Sequence, residues 1–187
     1  EDSRQPLFTA IYQHAWLTAH RLSRYSSLGN HTVAECVGLI FAGALFSEQA
    51  QGKAWLSTGI KLLHQELDHQ VLDDGGPAEQ SLSYHRFVLD LFWLAVDFLE
   101  TNGLHDCTGW KPKLQAGEAF LAALTDQSGL YPAIGDSDDG WAVAPGLAPS
   151  REVCIRAVSA EKMQTFPQAG YTVLRNDSGL MLSFDHG

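Results

Sequence analysis

The chain has 187 residues, 45% of them hydrophobic, enough to bury one good core or one core and part of a second. Twelve Lys and Arg against twenty-two Asp and Glu give 12 − 22 = −10, which argues against general affinity for nucleic acid or an anionic membrane while leaving room for a locally basic cleft. No run of about 18 uncharged apolar residues occurs, and Glu1 opens without a basic leader, so neither a membrane span nor a retained signal peptide is expected; the start reads as a processed or trimmed end.

The first predicted helix runs from about Pro6 to Tyr25, with Leu7, Ile11, Ala15, Leu17 and Leu22 at helical spacing. A loop, Ser26 to Asn30, leads into a second with Val33, Val37, Ile40, Phe41, Ala44 and Leu45, ending at Phe46-Ser47. A third covers Lys53 to about Leu72, with Trp55, Ile60, Leu63, Leu67 and Val71 inward, until Asp73-Asp74-Gly75-Gly76 breaks it. Pro77 suits the first turn of a fourth helix, whose stripe is Tyr84, Val88, Leu91 and Ala95 and which Thr101-Asn102-Gly103 stops. A fifth runs from about Leu114 to Thr125. After Gly129, Pro, Gly and Asp dominate to Ser150. Two strands then follow, Tyr171 to Arg175 and Leu180 to Phe184, around an Asn176-Asp177-Ser178-Gly179 turn. Two short strands do not make an independent sheet. The pattern predicts antiparallel helix pairs over 1-150 and the opening of an incomplete β domain over 151-187.

Cys36, Cys107 and Cys154 are odd in number, far apart and without metal-ligand spacing; Cys36 lies in an apolar helix pattern and is expected to be buried. Asp136, Asp138 and Asp139 suggest calcium but lack the distal Glu of an EF-hand loop, so a turn is expected. Trp55, Trp93, Trp110 and Trp141 could each stack on a ligand ring, but Trp55 and Trp93 on helices are expected in the core.

Two clusters carry chemistry. Gly29-Asn30-His31-Thr32-Val33-Ala34-Glu35 lies where a loop becomes a helix, and Tyr84-His85 begins the face of another. An amide, an imidazole and a phenol are together the groups needed to pull a proton from carbon beside a carboxylate. Local rules also give structural readings: Asn30 as N-cap, Thr32-x-x-Glu35 as a capping box, His31 as a solvated loop residue, and Tyr84 in the core with its hydroxyl bonded. Gln80, one turn before Tyr84, could orient it or touch a substrate, and His85 points about 100° away from Tyr84. Arg24, with Arg21 and His20, could hold carboxylate or other acidic groups of a ligand or simply favour a helix C-terminus.

Four ordered stretches resemble the heparinase II/III-like polysaccharide lyases, including oligoalginate lyases. They are Ser26 through Glu35 with Gly38-Leu39, Asp74-Gly75-Gly76 through Glu79-Gln80-Ser81 to Tyr84-His85, Ile134-Gly135-Asp136-Ser137-Asp138, and Phe166 through Tyr171 with Val173-Leu174-Arg175. The resemblance implies a mainly α fold, part of an (α/α) toroid of antiparallel helix pairs, followed by the first strands of an antiparallel β-sandwich. It implies β-elimination at a uronic acid: the carboxylate is neutralised, the C5 proton removed and the 4-O-glycosidic bond released, leaving an unsaturated uronate.

In that reaction Asn30 or His31 is the candidate donor to the carboxylate, at a helix start whose free N-H groups and dipole favour an anion. The same dipole favours a neutral His31 able to act as base. Tyr84 is the candidate acid to the leaving oxygen, or itself the base, and the separation 84 − 30 = 54 resembles the family's spacing. Gln80, His85, Arg24 and Glu35 are candidate substrate contacts. No metal or other cofactor is expected in this chain. The family's further histidine, in a His-Gly-His-like segment, and its occasional structural zinc belong to the β domain; Asp185-His186-Gly187 resembles only the entry to that segment. The chain is therefore expected to be a fragment or one part of a longer protein, inactive or impaired alone.

Acidic polysaccharide is the expected partner, with homodimerisation as a further expectation and a secreted or periplasmic, bacterial-type location. A non-catalytic carbohydrate-binding or scaffold module with the same toroid is an alternative. Another is an (α/α)-toroid glycoside hydrolase, which needs two opposed carboxylates and finds only Glu35 and Asp74 as a tempting pair.

Overall fold

The computed structural model describes residues 4–25, 28–136, 142 and 162–186. Within these, five helices precede a three-stranded antiparallel sheet: α1 (Gln5–His20), α2 (Asn30–Leu45), α3 (Ala50–Gln70), α4 (Leu82–Thr101), α5 (Lys111–Leu124), β1 (Met163–Phe166), β2 (Tyr171–Arg175) and β3 (Met181–Asp185). The chain divides into two compact units, Glu1–Glu66 and Leu67–Gly187. The expected domain boundary at 150/151 lies outside the described residues.

In the first unit, the apolar face of α1 is too narrow to be buried alone and packs on α2. Ala15, Leu39, Ala42 and Trp55 form a buried cluster, with Ile11, Tyr12, Ala19, Leu22 and Phe46 against it. Phe8 and Tyr12 meet Phe46 near the far end of α2, whereas Ser23 bonds Glu35 near its start, so the two helices run antiparallel. Tyr12 lies 5.3 Å from Phe46 at 87° and 4.9 Å from Trp55 at 59°. Such tilted ring pairs add on the order of 1 kcal/mol each beyond their area. Trp55 is 1% exposed and Cys36 fully buried, both as the apolar pattern predicts.

In the second unit, α4 is buried on more than one side through Leu82, Val88, Leu89, Phe92, Trp93, Val96 and Leu99. It runs antiparallel to α5: Glu100 pairs with Lys111 at 2.8 Å, while His85 near its start meets Phe120 edge-on at 5.7 Å. Phe120 continues the core onto the sheet, 4.7 Å from Phe166 and 5.6 Å from Tyr171. Strand β2 is central, pairing Phe166 with Tyr171 on one side and Tyr171 with Asp185 on the other.

Several boundaries differ from the sequence reading. Helix α1 stops at His20, because Arg21 leaves helical geometry and Ser23 bonds to Glu35. Helix α3 starts three residues before Lys53 and ends two before Leu72. Pro77 does not start α4: it is buried and bridges to Val71, closing a tight turn in which the Leu72 N–H donates to the Gly76 carbonyl at 2.9 Å. The helix begins instead at Leu82, where the Ser81 hydroxyl accepts from the Tyr84 N–H at 3.3 Å, an ordinary N-cap. Helix α5 starts at Lys111, with Pro112 in its first turn. Strand β1 was not expected.

The Asn176 turn forms as expected, and it has a twin. In Asp126-Gln127-Ser128-Gly129-Leu130, Asp126 Oδ1 accepts from the Ser128 N–H (2.8 Å), the Ser128 hydroxyl (2.7 Å) and the Leu130 N–H (2.9 Å). In Asn176-Asp177-Ser178-Gly179-Leu180, Asn176 Oδ1 accepts the same three bonds at 3.1, 2.7 and 2.9 Å. The glycine of each has φ 85°, a conformation other residues rarely adopt. Gln127 of the first turn packs on Gly179 of the second.

Next to these turns, the Arg175 guanidinium on β2 donates to the carbonyls of Ala123 and Thr125, the latter at 2.9 Å. These are carbonyls at the end of α5, where the dipole favours a cation. Arg175→Met is expected to lower unfolding free energy by about 2 kcal/mol, the order of two bonds from a charged donor. A urea midpoint unchanged from the parent would show that these bonds contribute nothing.

Candidate active site

The amide and imidazole of the first cluster occupy the opening turn of α2. Gly29 precedes that turn at φ 90° and ψ −132° and is buried, and it supplies no side-chain cap. Asn30 is therefore the first helical residue rather than the N-cap. It is half-buried, and His31 is exposed. The expected capping box is absent as well. The Thr32 hydroxyl donates to the Ser23 carbonyl, and Glu35 accepts the Ser23 N–H and the Ser23 hydroxyl, one on each oxygen at 2.8 Å. Thr32 and Glu35 thus tie the chain leaving α1 to the start of α2. Glu35, expected as a substrate contact, has both oxygens engaged with Ser23. Arg24, the next residue, is exposed.

One turn further along α2, burial pushes the Cys36 thiol up to about 12, and the Glu66 and Glu35 charges reinforce the shift. Burial likewise raises Cys107 to about 11. Neither thiol is a nucleophile near neutral pH.

Tyr84 lies in the first turn of α4, half-buried. With Gln70, Pro77, Glu79, His85 and Val88 it lines a small recess of about 10 Å³. Gln80, expected to serve Tyr84 or sugar, donates from its amide to the Ala169 carbonyl at 3.3 Å and so ties the segment before α4 to the turn between β1 and β2. His85, also expected near substrate, is 2% exposed, with Nε2 2.9 Å from the Gly75 carbonyl. A carbonyl only accepts, so Nε2 carries a proton and donates to it. His85 therefore lies in the core, bonded to the turn before α4.

Sequence reasoning missed Asp74 as a structural group. Its Oδ2 accepts the N–H groups of Gln168 at 2.7 Å and Ala169 at 3.0 Å, and its Oδ1 accepts Gly76 N–H at 3.1 Å. Asp74 before two glycines was the available signal, because such an Asp commonly bonds backbone two residues on. Its partners 94 and 95 residues away left no local trace. Ser83 Oγ donates to the Asp136 carbonyl at 3.0 Å, while Asp138 and Asp139 lie outside the described residues. No group of three His, Cys, Asp or Glu among the described residues could hold a metal ion. His186 is exposed, with Nε2 3.1 Å from the Thr172 hydroxyl.

With this geometry established, comparison with known proteins is decisive. The model of the heparinase II/III N-terminus matches residues 4–145. The chain belongs to the heparinase II/III family. Within that family, a heparin-sulfate lyase of Bacteroides stercoris is 34% identical over 87 residues, 46% of this chain and 13% of that protein. A heparin-sulfate lyase of Pedobacter heparinus is 32% identical over 93 residues, 46% of this chain and 14% of that protein. The matched stretches thus cover only a small share of these curated relatives. Among solved structures, heparinase III superposes with a TM-score of 0.69 at 22% identity, covering 90% of this chain and 30% of that one. Heparan sulfate lyase HepC from Pedobacter heparinus gives 0.55 at 24% identity, covering 68% and 20%. At these identities the likeness shows the fold. No helix among the described residues is long and apolar enough to cross a membrane.

The buried histidine gives the second unit a pH dependence. Burial lowers the His85 pKa from 6.5 to about 4, with the Gly75 bond opposing. The unfolded chain therefore binds a proton between these values that the folded chain does not. The contribution is fully present above about 6.5 and lost as pH falls toward 4, reaching about 3 kcal/mol at most. In His85→Gln, whose amide can still donate to Gly75, the loss of stability between pH 6.5 and 4 is expected to flatten; an unchanged slope in urea titrations across that range would refute the assignment.

Proposed function

We propose that this chain supplies part of the active site of a polysaccharide lyase acting on heparan-type uronate polymers. The observation that carries the proposal is family membership together with an amide and an imidazole on the first turn of α2 and a tyrosine on the first turn of α4. The named relatives are heparin-sulfate lyases, which motivates the substrate class.

The reaction requires three events at one uronate. The C5 proton leaves, a C4–C5 double bond forms as the C4–O bond breaks, and the departing oxygen gains a proton. The C5 hydrogen is too weakly acidic for a side-chain base until charge growing on the carboxylate is stabilised, and each fixed donor contributes on the order of 3 kcal/mol. Asn30 takes that role, helped by the N–H groups and dipole of the α2 start. His31 is the neighbouring candidate for carboxylate contact or base. Tyr84 moves a proton, as acid to the leaving oxygen or as base toward C5. Arg24 adds a guanidinium for acidic groups of the polymer. We further propose a secreted or periplasmic location, where such polymers are met, and assembly as a homodimer; no role is assigned to nucleic acid or to a metal held by this chain.

A glycoside hydrolase reading is weaker because Glu35 and Asp74 are both engaged by backbone N–H groups. In the intact protein, Tyr84→Phe is expected to lower kcat for ultraviolet-absorbing unsaturated product by about 10²- to 10⁴-fold while saccharide binding persists. Asn30→Ala is expected to lose about 10²- to 10³-fold. Reducing ends released without ultraviolet absorbance would sink the lyase reading in favour of hydrolysis.

A further inference from the structure

The first unit holds an aromatic and cationic surface that the elimination chemistry does not use. Trp16 and His20, one turn apart near the end of α1, stack with ring centroids 4.1 Å apart and planes at 27°. His20 Nδ1 lies 2.7 Å from the Trp16 carbonyl, so Nδ1 carries a proton and Nε2 is directed away from that bond. Trp16 remains 48% exposed, and Tyr25 90% exposed. Arg21 and Arg24 follow within the next four residues, both exposed. The same stretch is joined to the first turn of α2 by the Ser23 bonds to Thr32 and Glu35.

Charge distribution says what such a surface would take. From Ser3 to Ala34 the sequence contains three arginines, three histidines and no Asp or Glu, in a chain of twenty-two acidic residues. Residues 1–66 carry 5 − 5 = 0 net charge, and residues 67–187 carry 7 − 17 = −10. A helix C-terminus explains basic residues near His20. It does not explain a half-exposed indole held in a stack, nor a run of 32 residues without a carboxylate.

We propose that the Trp16–His20 stack is a binding platform for an anionic sugar ring, with Arg21 and Arg24 engaging its sulfate or carboxylate groups. The ligand class rests on the lyase reading above, and the platform serves that site by holding polymer beside the α2 start. An indole face accepts the apolar face of a sugar, the imidazole edge offers Nε2 to a hydroxyl or anion, and guanidinium forks match sulfate and carboxylate geometry.

Binding can be measured apart from turnover in the intact Tyr84→Phe protein, by calorimetry with a heparan sulfate octasaccharide and a neutral glucan octasaccharide. Trp16→Ala is expected to weaken the sulfated probe about tenfold, with Trp16→Phe close to the parent and the urea midpoint unmoved. In the active protein, Trp16→Ala should raise KM by a similar factor and leave kcat in place. Parental affinity in Trp16→Ala, an equal loss for the neutral glucan, or no binding of the sulfated probe by the parent would each overturn the proposal. Absence of unsaturated product from the active protein counts against the lyase reading alone, because the binding comparison needs no turnover.

Discussion

The second unit depends on one carboxylate. Asp74 gathers the N–H groups of Gly76, Gln168 and Ala169, joining the turn before α4 to the turn between β1 and β2. Charge-assisted bonds of this kind are stronger than neutral ones, and leaving the part-buried amides of Gly76 and Ala169 unpaired would cost about 1–3 kcal/mol each. Once that junction is fixed, Gly76 lies against Ala169, Gly75 presents its carbonyl to His85, and Phe120 fills the space between His85 and the sheet. The first turn of α4, and with it Tyr84, takes its position from this junction rather than from helix propensity.

Glu35 does the corresponding work in the first unit, drawing Ser23 onto α2. The two carboxylates that a sequence offers most readily as a catalytic pair are thus both bound to backbone. Acidic residues near glycines and loop ends have two uses, and only their partners distinguish them. The partners here lie 12 residues away for Glu35 and more than 90 for Asp74, beyond the reach of any local rule.

The helices were legible because burial leaves a period of 3.6 in the apolar residues, and Cys36, Trp55 and Trp93 fall in the core where that period puts them. Helix starts were less legible. Pro77 and Thr32-x-x-Glu35 satisfy N-terminal rules in isolation, yet a bridge to Val71 and bonds to Ser23 claim them instead. Strand β1 is four residues long and mostly polar or exposed, so nothing in Met163–Phe166 announces it before β2 is there to pair with it. For the site, residue types were readable but not surroundings. His85 and Tyr84 are adjacent in sequence, and only packing against Phe120 and Gly117 reveals that one is sealed in the core.

The twin turns at Asp126 and Asn176 carry a lesson about transferable local code. One uses an ionised side chain whose pKa is lowered chiefly by the Ser128 hydroxyl, and the other a neutral amide, yet the bonding diagram is the same. Charge is therefore incidental to this turn; what it requires is a side-chain oxygen three bonds from Cα, a serine two positions on, then glycine and a following N–H. The string Asp/Asn-x-Ser-Gly-Leu can be searched for as a self-contained chain reversal, one in which exchange of Asp for Asn retunes the electrostatics of a surface without redrawing its backbone.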